Sequence, residues 1–219
     1  MKMQNKLLGL AKNYLNHLLV PGPNQIVQPT YPLVFSKPWS TLVYNPQKEL
    51  RIKRHTNRVI FHEVELGIVI SKEATNINKQ DYMDYIAGYF LVLDFTDKEL
   101  LMLDLKSSGP WFLSKAFDNF CPLGEFISKD QITDPHDVDL ELKINGEVRQ
   151  KDNTKNMFFK IGDMMQYITQ YSTLYPGDLI MTGTPNGINE IKFDDLLESS
   201  LSFKGQCLCR LDFHLRELI

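Results

Sequence analysis

The chain has 219 residues, of which 43% are hydrophobic and 23% charged, with a formal net charge of −3 and an isoelectric point near 6.0. These values are ordinary for a globular protein that buries a core, and they exclude the strong positive charge that attracts nucleic acid. Since no apolar run reaches membrane-spanning length and no linker or repeat divides the chain, we expect one domain over residues 1–219, without nucleic-acid partners or a membrane span.

The N-terminal half is predicted to consist mainly of strands. Residues 6–10 read as a strand, followed by a turn and short helix over 12–17 that Pro21 and Pro23 stop. Further strands are expected over 32–38, 50–54, 58–70 and 86–95, with short helices over 78–82 and 97–105. Asp94 closes the last of these apolar runs.

The C-terminal half shows a clean hairpin pattern. Residues 138–150 alternate apolar and polar side chains around the tight turn Asn145-Gly146. A helix over 161–171 with Met164 and Met165 in the core, a strand over 179–182 and a strand pair around Gly205 complete the prediction. The chain has no regular βαβ alternation, so we predict a β-rich mixed α/β fold with short peripheral helices.

Cysteine usage and the N-terminus bear on the compartment. Cys121, Cys207 and Cys209 are too few and too unevenly spaced for a disulfide framework. The apolar stretch after Lys6 is too short for a signal peptide. We therefore expect an intracellular protein, mitochondrial or cytoplasmic, that is not secreted.

Two glutamates lie two residues apart in the apolar stretch 61–70. Because successive side chains of a strand point to opposite faces, Glu63 and Glu65 share one face. Neighbouring like charges repel each other unless a cation lies between them, and a hard divalent cation that takes oxygen ligands is one candidate. A solvated acidic strand face is the other, and this motif alone leaves both open. His62 would point to the opposite face, as a packing residue or as support for the site.

Seven short segments occur in a characteristic order. They are 9–14 (GLAKNY, with His17 after it), Lys37-Pro38, 61–65 (FHEVE), 93–96 (LDFT), 115–118 (KAFD), 145–150 (NGEVRQ) and 176–185 (PGDLIMTGTP). Together, over roughly residues 6–188, they resemble the fumarylacetoacetate hydrolase family, in particular its short acylpyruvase and oxaloacetate decarboxylase branch. The resemblance implies the β-roll or barrel of the family's C-terminal domain and a homodimer.

The resemblance also implies a divalent ion, Mg²⁺ or Mn²⁺, held by Glu63, Glu65 and Asp94. Three carboxylates supply oxygen ligands and leave coordination positions open for water and a chelating α-keto acid. The ion would act as a Lewis acid, and Lys115 would place a cation beside the developing oxyanion. A solvated lysine at a helix start is the alternative for Lys115.

Four further residues are implied as substrate-binding. Thr184 would hold the substrate carboxylate with its hydroxyl and backbone N–H, and Gly183 would allow the close backbone approach. Lys12 and Lys98 stand where the family commonly has arginine, so a point charge replaces a bidentate fork at both positions.

The water-activating pair of the family is incomplete in this chain. Hydrolases of the family use a histidine and a glutamate three residues later, whereas His17 is followed at that position by Val20. A poorly oriented general base loses about 10²–10⁴ in rate. A packed helix histidine is the alternative for His17. Leu101 also replaces a glutamine of related sequences, and Trp39 and Trp111 are expected in the core rather than in the pocket.

Two functions follow from this mixture of retained and lost residues. The first is a metal-dependent enzyme on small α-keto acids that decarboxylates or tautomerises oxaloacetate rather than hydrolysing acylpyruvates, because hydrolysis needs the water-activating pair. The second is a catalytically impaired family member that serves as a structural or interaction subunit of a larger assembly, for example in mitochondria. The retained repelling carboxylates favour the enzyme.

Overall fold

The computed structural model describes residues 5–14, 29–53 and 58–218. Its strands are β1 (Leu7–Ala11), β2 (Leu33–Lys37), β3 (Leu42–Tyr44), β4 (Lys48–Lys53), β5 (Ile60–Phe61), β6 (Val64–Ile70), β7 (Ile86–Leu93), β8 (Thr96–Asp97), β9 (Cys121–Leu123), β10 (Ile127–Ser128), β11 (Val138–Ile144), β12 (Glu147–Asn153), β13 (Leu179–Met181), β14 (Glu190–Ile191), β15 (Leu196–Phe203) and β16 (Gln206–Leu218). The α-helices are α1 (Lys98–Ser107), α2 (Phe112–Lys115) and α3 (Ile161–Thr169), and short 3-10 turns cover Trp39–Thr41, Lys79–Tyr85, Lys129–Gln131 and Thr154–Asn156. The predicted β-rich mixed fold with short helices is confirmed.

The strands form three sheets. A curled eight-stranded sheet has the order β2-β1-β13-β6-β7-β9-β3, with β10 also paired to β7. A five-stranded sheet has the order β12-β11-β15-β16-β4, and a small sheet joins β14, β5 and β8. Buried side chains of the two large sheets belong to one contiguous hydrophobic core, so the two sheets stabilise each other.

The central strands β6 and β7 of the eight-stranded sheet are almost entirely buried. They pair antiparallel with Val64 opposite Leu93, so the start of β6 and the end of β7 meet at the same edge. Strands with both faces covered are nearly continuous apolar runs. Polar residues at that edge are therefore held by a rigid, buried frame.

The hairpin of the five-stranded sheet lies where the sequence predicts it. Asn145 and Gly146 both have positive φ, 52° and 80°, as the tight turn between right-twisted strands requires. β11 and β15 alternate buried and more exposed residues along their length, which is the pattern of strands with one face on the core.

Some predicted elements differ from the structure. The long strand predicted over 58–70 is broken at His62 and Glu63, between β5 and β6. Up to His62, whose N–H donates to the carbonyl of Asn189 (3.1 Å), the chain pairs in the small sheet, and from Val64 on it pairs in the eight-stranded sheet. Lys12 is in a bend with φ 57° rather than in a helix. The rest of the helix predicted over 12–17, and its stop at Pro21 and Pro23, lie outside the described residues.

The buried carboxylate of Asp178, just before β13, helps to attach the start of β1 to β13. Asp178, 1% exposed, accepts hydrogen bonds from the backbone N–H groups of Lys6 (2.7 Å) and Tyr175 (2.8 Å) and pairs with the Lys6 ammonium (2.7 Å). This anchor fixes the parallel pairing of β1 with β13. None of the helices in the described ranges has the length and apolar content of a membrane-spanning helix.

Candidate metal and substrate site

Three carboxylates converge at the shared edge of β6 and β7. Glu63 lies at the break before β6, Glu65 is the second residue of β6, and Asp94 follows the end of β7. The backbone N–H of Asp94 donates to the carbonyl of Glu63 (2.8 Å), which joins the two strand ends. Each side chain offers one oxygen atom, and these atoms lie within 4.8 Å of one another. We call Glu63, Glu65 and Asp94 the carboxylate cluster.

Two buried lysines face the carboxylate cluster. The Lys115 ammonium lies 2.5 Å from Asp94 Oδ2 and 3.0 Å from Glu63 Oε2. Lys37, whose side chain is fully buried, donates to Asp94 Oδ1 and to the carbonyl oxygens of Phe95 (3.0 Å) and Phe120 (2.9 Å). An ammonium has three N–H donors, so Lys37 is fully used as an anchor, whereas Lys115 also borders the pocket.

Two further donors orient the glutamates. The Thr96 hydroxyl donates to Glu63 Oε1 (2.8 Å), and the Gly183 N–H donates to Glu65 Oε2 (2.7 Å). Gly183 has φ +93°, and a Cβ there would meet the Cβ of Asn13 at 2.7 Å. Glycine is therefore required because two backbone segments approach closely, and its N–H is directed at Glu65.

The carboxylate cluster has more negative charge than the neighbouring lysines balance. Burial raises the pKa of Glu65 well above its usual value, and the charges of Asp94 and Glu63 raise it further. Burial also raises the pKa of Glu63 despite Lys115. For Asp94, burial raises the pKa, but the Lys115 and Lys37 ammonium groups outweigh it and hold the pKa below the usual value. The ionised cluster carries one more negative charge than the two lysines neutralise.

This donor set fits a hard divalent ion. Octahedral Mg²⁺ places its oxygen ligands about 2.1 Å from the ion, so ligand oxygens lie up to about 4.2 Å apart. The cluster offers three oxygen donors that lie within 4.8 Å of one another, and a dication would supply the positive charge that these carboxylates lack. Glu63, Glu65 and Asp94 are thus suited to hold Mg²⁺ or Mn²⁺.

A pocket of about 270 Å³ opens beside the cluster. Its polar lining residues are Lys12, Glu63, Lys115 and Thr184, and its apolar ones are Leu10, Ala11, Phe35, Phe61, Leu101, Leu105, Trp111 and Ile188. A small apolar cavity with a few convergent charged groups is typical of a site for a small polar ligand. Trp111 belongs to this lining, so the prediction that it is core packing is wrong, and Trp39 is 39% exposed.

The structure brings some of the predicted site residues to the pocket and not others. Glu63, Lys115, Lys12 and Thr184 line it. Lys98 is exposed, and its ammonium lies over the Phe61 ring at 5.2 Å, outside the lining residues. His17 and Val20 lie outside the described residues. Lys98 is therefore not itself a lining residue, although it contacts one of them, Phe61.

The expected roles of Thr184 and Gly183 change. The Thr184 hydroxyl donates to the carbonyl of Val64 (2.9 Å), so its proton is already used inside the protein. The Gly183 N–H points to Glu65 rather than into the cavity. In this arrangement the hydroxyl proton of Thr184 is not free for a ligand carboxylate, and Gly183 orients a carboxylate of the cluster.

Sequence reasoning assigned no role to two buried residues that support this site. Lys37 neutralises Asp94, and Gln150, 1% exposed, bonds to Thr184 and to the start of β6. Both occur in the segments that carry the family resemblance, Lys37-Pro38 and 145–150. A lysine and a glutamine within strand-like segments are otherwise indistinguishable from surface residues.

Comparison with known proteins identifies the class. Residues 6–211 match the family model for fumarylacetoacetate (FAA) hydrolase C-terminal. Because this match covers most of the chain, the chain belongs to the fumarylacetoacetate hydrolase family, as the sequence motifs predict.

Individual relatives align over nearly the whole chain. The mitochondrial oxaloacetate tautomerase fahd-1 of Caenorhabditis elegans is 39% identical over 202 residues, covering 92% of each chain. The mitochondrial oxaloacetate decarboxylase of Dictyostelium discoideum is 38% identical over 197 residues, covering 90% of this chain and 88% of the relative. A crystal structure of a fumarylacetoacetate hydrolase family protein from Yersinia pestis CO92 superposes with a TM-score of 0.85 at 30% identity, covering 96% and 93% of the two chains.

Proposed function

We propose that the chain is a divalent-metal-dependent enzyme that decarboxylates or tautomerises oxaloacetate or a similar small α-keto acid. The observation that supports this most strongly is the convergence of three carboxylates, two of them buried, beside a small open pocket. The substrate follows from the relatives, which are named for oxaloacetate tautomerase and decarboxylase activity. A pocket of this size suits a four-carbon acid rather than a bulky ligand.

We assign metal binding to the carboxylate cluster and charge stabilisation to Lys115. Glu63, Glu65 and Asp94 would hold the ion, with Mg²⁺ as the first candidate and Mn²⁺ as the second. When bound, the ion would supply Lewis-acid polarisation of the keto oxygen. Lys115, which lines the pocket beside Glu63, would stabilise negative charge that develops on the substrate oxygen.

The substrate carboxylates need cationic or N–H partners of their own. Lys12 lines the pocket, where a bend holds it at a positive φ of 57°. We assign it to a substrate carboxylate, together with the backbone of Thr184. The apolar lining, with Trp111 and Leu105 among its members, would exclude water and strengthen these charge interactions.

Hydrolysis of acylpyruvates is the disfavoured reaction. It needs an activated water, and Val20 stands where hydrolases of the family have the glutamate that partners the histidine at position 17. Decarboxylation or keto–enol exchange needs the ion and a proton relay instead. We expect Val20→Glu to raise acylpyruvate hydrolysis, whereas brisk hydrolysis by the native chain would contradict this assignment.

The alternative of a non-catalytic subunit has no support from the named relatives, which are described as enzymes.

We further propose that the chain is a single domain over residues 1–219 and forms a homodimer. We propose a mitochondrial or cytoplasmic location, since the two named relatives are mitochondrial. Light scattering on the purified chain measures the oligomeric state, and a monomer at micromolar concentration would contradict the dimer.

The test measures oxaloacetate loss and keto–enol exchange with added Mg²⁺, with protein-free Mg²⁺ as the blank. Native protein should be active, and Glu65→Gln should lose about 10²–10³ in rate, as when a group that stabilises the transition state is removed. Glu141→Gln is the matched control, since Glu141 lies on β11 and pairs with Lys143 and Lys151 at the surface. Activity that survives both chelator and Glu65→Gln would overturn the proposal.

A further inference from the structure

Gln150 joins the two large sheets at the pocket. It lies on β12 of the five-stranded sheet, yet its side chain reaches the eight-stranded sheet. Its Oε1 accepts from the Val64 N–H (3.0 Å), and its Nε2 donates to the Thr184 hydroxyl (2.8 Å) and to the Pro185 carbonyl (2.8 Å). One amide side chain therefore spans the start of β6 and the segment 182–185.

The hydrogen bonds around Gln150 form a network whose donors and acceptors can be assigned from the chemistry of each partner. Val64 N–H is only a donor and Pro185 carbonyl is only an acceptor, so the orientation of the Gln150 amide is fixed. His62 Nδ1 lies 2.9 Å from the same Oε1 and must therefore carry the proton. Thr184 accepts from Gln150 and donates to the Val64 carbonyl.

The end of the network away from Thr184 is a buried histidine. His62 is fully buried, and its Nε2 has no hydrogen-bond partner among the described residues. The Nδ1 proton of His62 is directed at Gln150 Oε1, which only accepts. The hydrogen bonds therefore have one consistent direction, from His62 through Gln150 to Thr184.

The segment 182–185 meets β6 at successive positions. Thr182 bonds to the Leu66 carbonyl through its N–H (3.1 Å) and its hydroxyl (2.9 Å), and Gly183 N–H bonds to Glu65. Beyond Gly183, the side-chain hydrogen bonds that join the segment to β6 among the described residues run through the Thr184 hydroxyl and through Gln150. Thr184 is also the one of these residues that lines the pocket.

We propose that Gln150 is a positioning residue that holds Thr184 in the pocket wall, so that the Thr184 backbone rather than its hydroxyl is presented to the substrate carboxylate. This inference rests on the proposed function for its substrate. Gln150 bonds to no carboxylate oxygen of the cluster, whose two glutamates are oriented by Thr96 and Gly183, so we expect its loss to affect substrate binding more than the ion. The contact between Thr184 and the substrate carboxylate would therefore depend on a side chain of the five-stranded sheet.

The test compares Gln150→Met with the native enzyme. Methionine keeps the length and removes both the donors and the acceptor. We expect the KM for oxaloacetate to rise about tenfold, with kcat changed by less than about threefold. A contact that is equally strong to the bound substrate and to the transition state changes KM and leaves kcat nearly unchanged when it is lost. The Mg²⁺ affinity measured by calorimetry should stay within about twofold.

A control separates positioning from general stability. Thr154 makes the same kind of bridge, with its hydroxyl donating to the Pro135 carbonyl (2.8 Å) and accepting from Val138 N–H (2.9 Å), but it is not among the pocket residues. Thr154→Val should lower the melting temperature without changing KM. A Gln150→Met enzyme that loses melting temperature while keeping its native KM would overturn the proposal.

A double-variant cycle tests the route through Thr184. In the Thr184→Val background, Gln150→Met should change KM by less than about twofold, because coupled residues are not additive. If the effects of the two substitutions on KM are fully additive, Gln150 does not act through Thr184 and the proposal is overturned. If Gln150→Met does not fold, Gln150→Glu, which keeps the acceptor oxygens and lacks both N–H donors, replaces it.

Amide hydrogen exchange supplies a readout that does not depend on the substrate. Exchange in 182–186 should accelerate in Gln150→Met and stay native in Thr154→Val. If the native chain does not act on oxaloacetate, the proposed function fails, while the exchange result still decides whether Gln150 positions this segment. Native exchange in Gln150→Met would overturn the inference.

Discussion

The two large sheets bury their side chains in different ways. In the five-stranded sheet, β11 and β15 alternate core and solvent-facing residues. In the eight-stranded sheet, β6 and β7 are buried on both faces, and charged groups stand at the edge where the two strands meet. The first pattern maximises buried apolar area, whereas the second accepts the desolvation of charges.

This difference separates stability from function. Buried charges are costly unless they are paired, and here Lys37 and Lys115 pair with the carboxylate cluster without neutralising it. A core built for stability alone would not contain this arrangement. The comparison predicts that changes in the core of the five-stranded sheet, away from Gln150, alter stability alone, whereas changes at the cluster alter stability and metal binding together.

Asp94→Asn should have the largest effect. It leaves the Lys37 and Lys115 ammonium groups buried without their shared anion, and breaking a buried ion pair costs about 3–5 kcal/mol. Urea unfolding should show this loss, and calorimetry should show that Mg²⁺ binding is abolished. Glu49→Gln, which removes an exposed partner of Arg51, is the control and should cost less than about 1 kcal/mol. Equal costs for the two variants would contradict the distinction between the sheets.

Leu201→Ala tests the other side of the comparison. Leu201 is fully buried on β15, and leucine-to-alanine changes in cores cost about 2–5 kcal/mol because a cavity remains. The free energy of unfolding should fall by this amount while Mg²⁺ affinity and KM for oxaloacetate stay native at a temperature where the variant is folded. A change in metal affinity would show that the five-stranded sheet shapes the cluster.

Lys115→Met should tighten Mg²⁺ binding while lowering activity. The Lys115 ammonium contacts oxygens of Asp94 and Glu63, so it repels a dication and competes for the same ligands. We expect at least about tenfold tighter binding by calorimetry at pH 8. Lys79→Met, which breaks a surface pair with Asp163, should leave the affinity unchanged. Weaker binding in Lys115→Met would mean that Lys115 organises the carboxylates rather than opposing the ion.

The smallest effect is expected at His136, at the N-terminus of α3. His136 Nε2 accepts from the Ile161 N–H (3.0 Å), and burial, with the Lys160 charge, lowers the pKa of His136. Between its usual pKa near 6.5 and the lower folded value, the unfolded chain binds more protons, so stability falls as the pH drops through this window. His136→Gln keeps an acceptor that does not titrate. Its unfolding free energy should depend less on pH below about 6.5, and an unchanged slope would contradict the assignment.

Much of the strand pattern was predictable because it depends on local periodicity. The hairpin around Asn145-Gly146 and the buried strand ending before Asp94 follow from alternation and turn chemistry. The break before β6 was not predictable, since it depends on the chain passing from the small sheet to the eight-stranded sheet after His62, whose N–H bonds to the distant Asn189 carbonyl. Similarly, nothing in the sequence distinguishes Lys98, which lies outside the pocket lining, from Lys12, which lies within it.

The sequence by itself determined the fold class, the family and the carboxylates as a set, because periodicity and ordered motifs are properties of the chain. Only the tertiary structure decided which groups meet: Lys37 with Asp94, Gly183 with Glu65, and Gln150 with Thr184 across two sheets. These partners lie between 34 and 118 residues apart along the chain. Hydrogen bonds and ion pairs act over a few ångströms, so their partners are set by sheet pairing and packing rather than by local sequence.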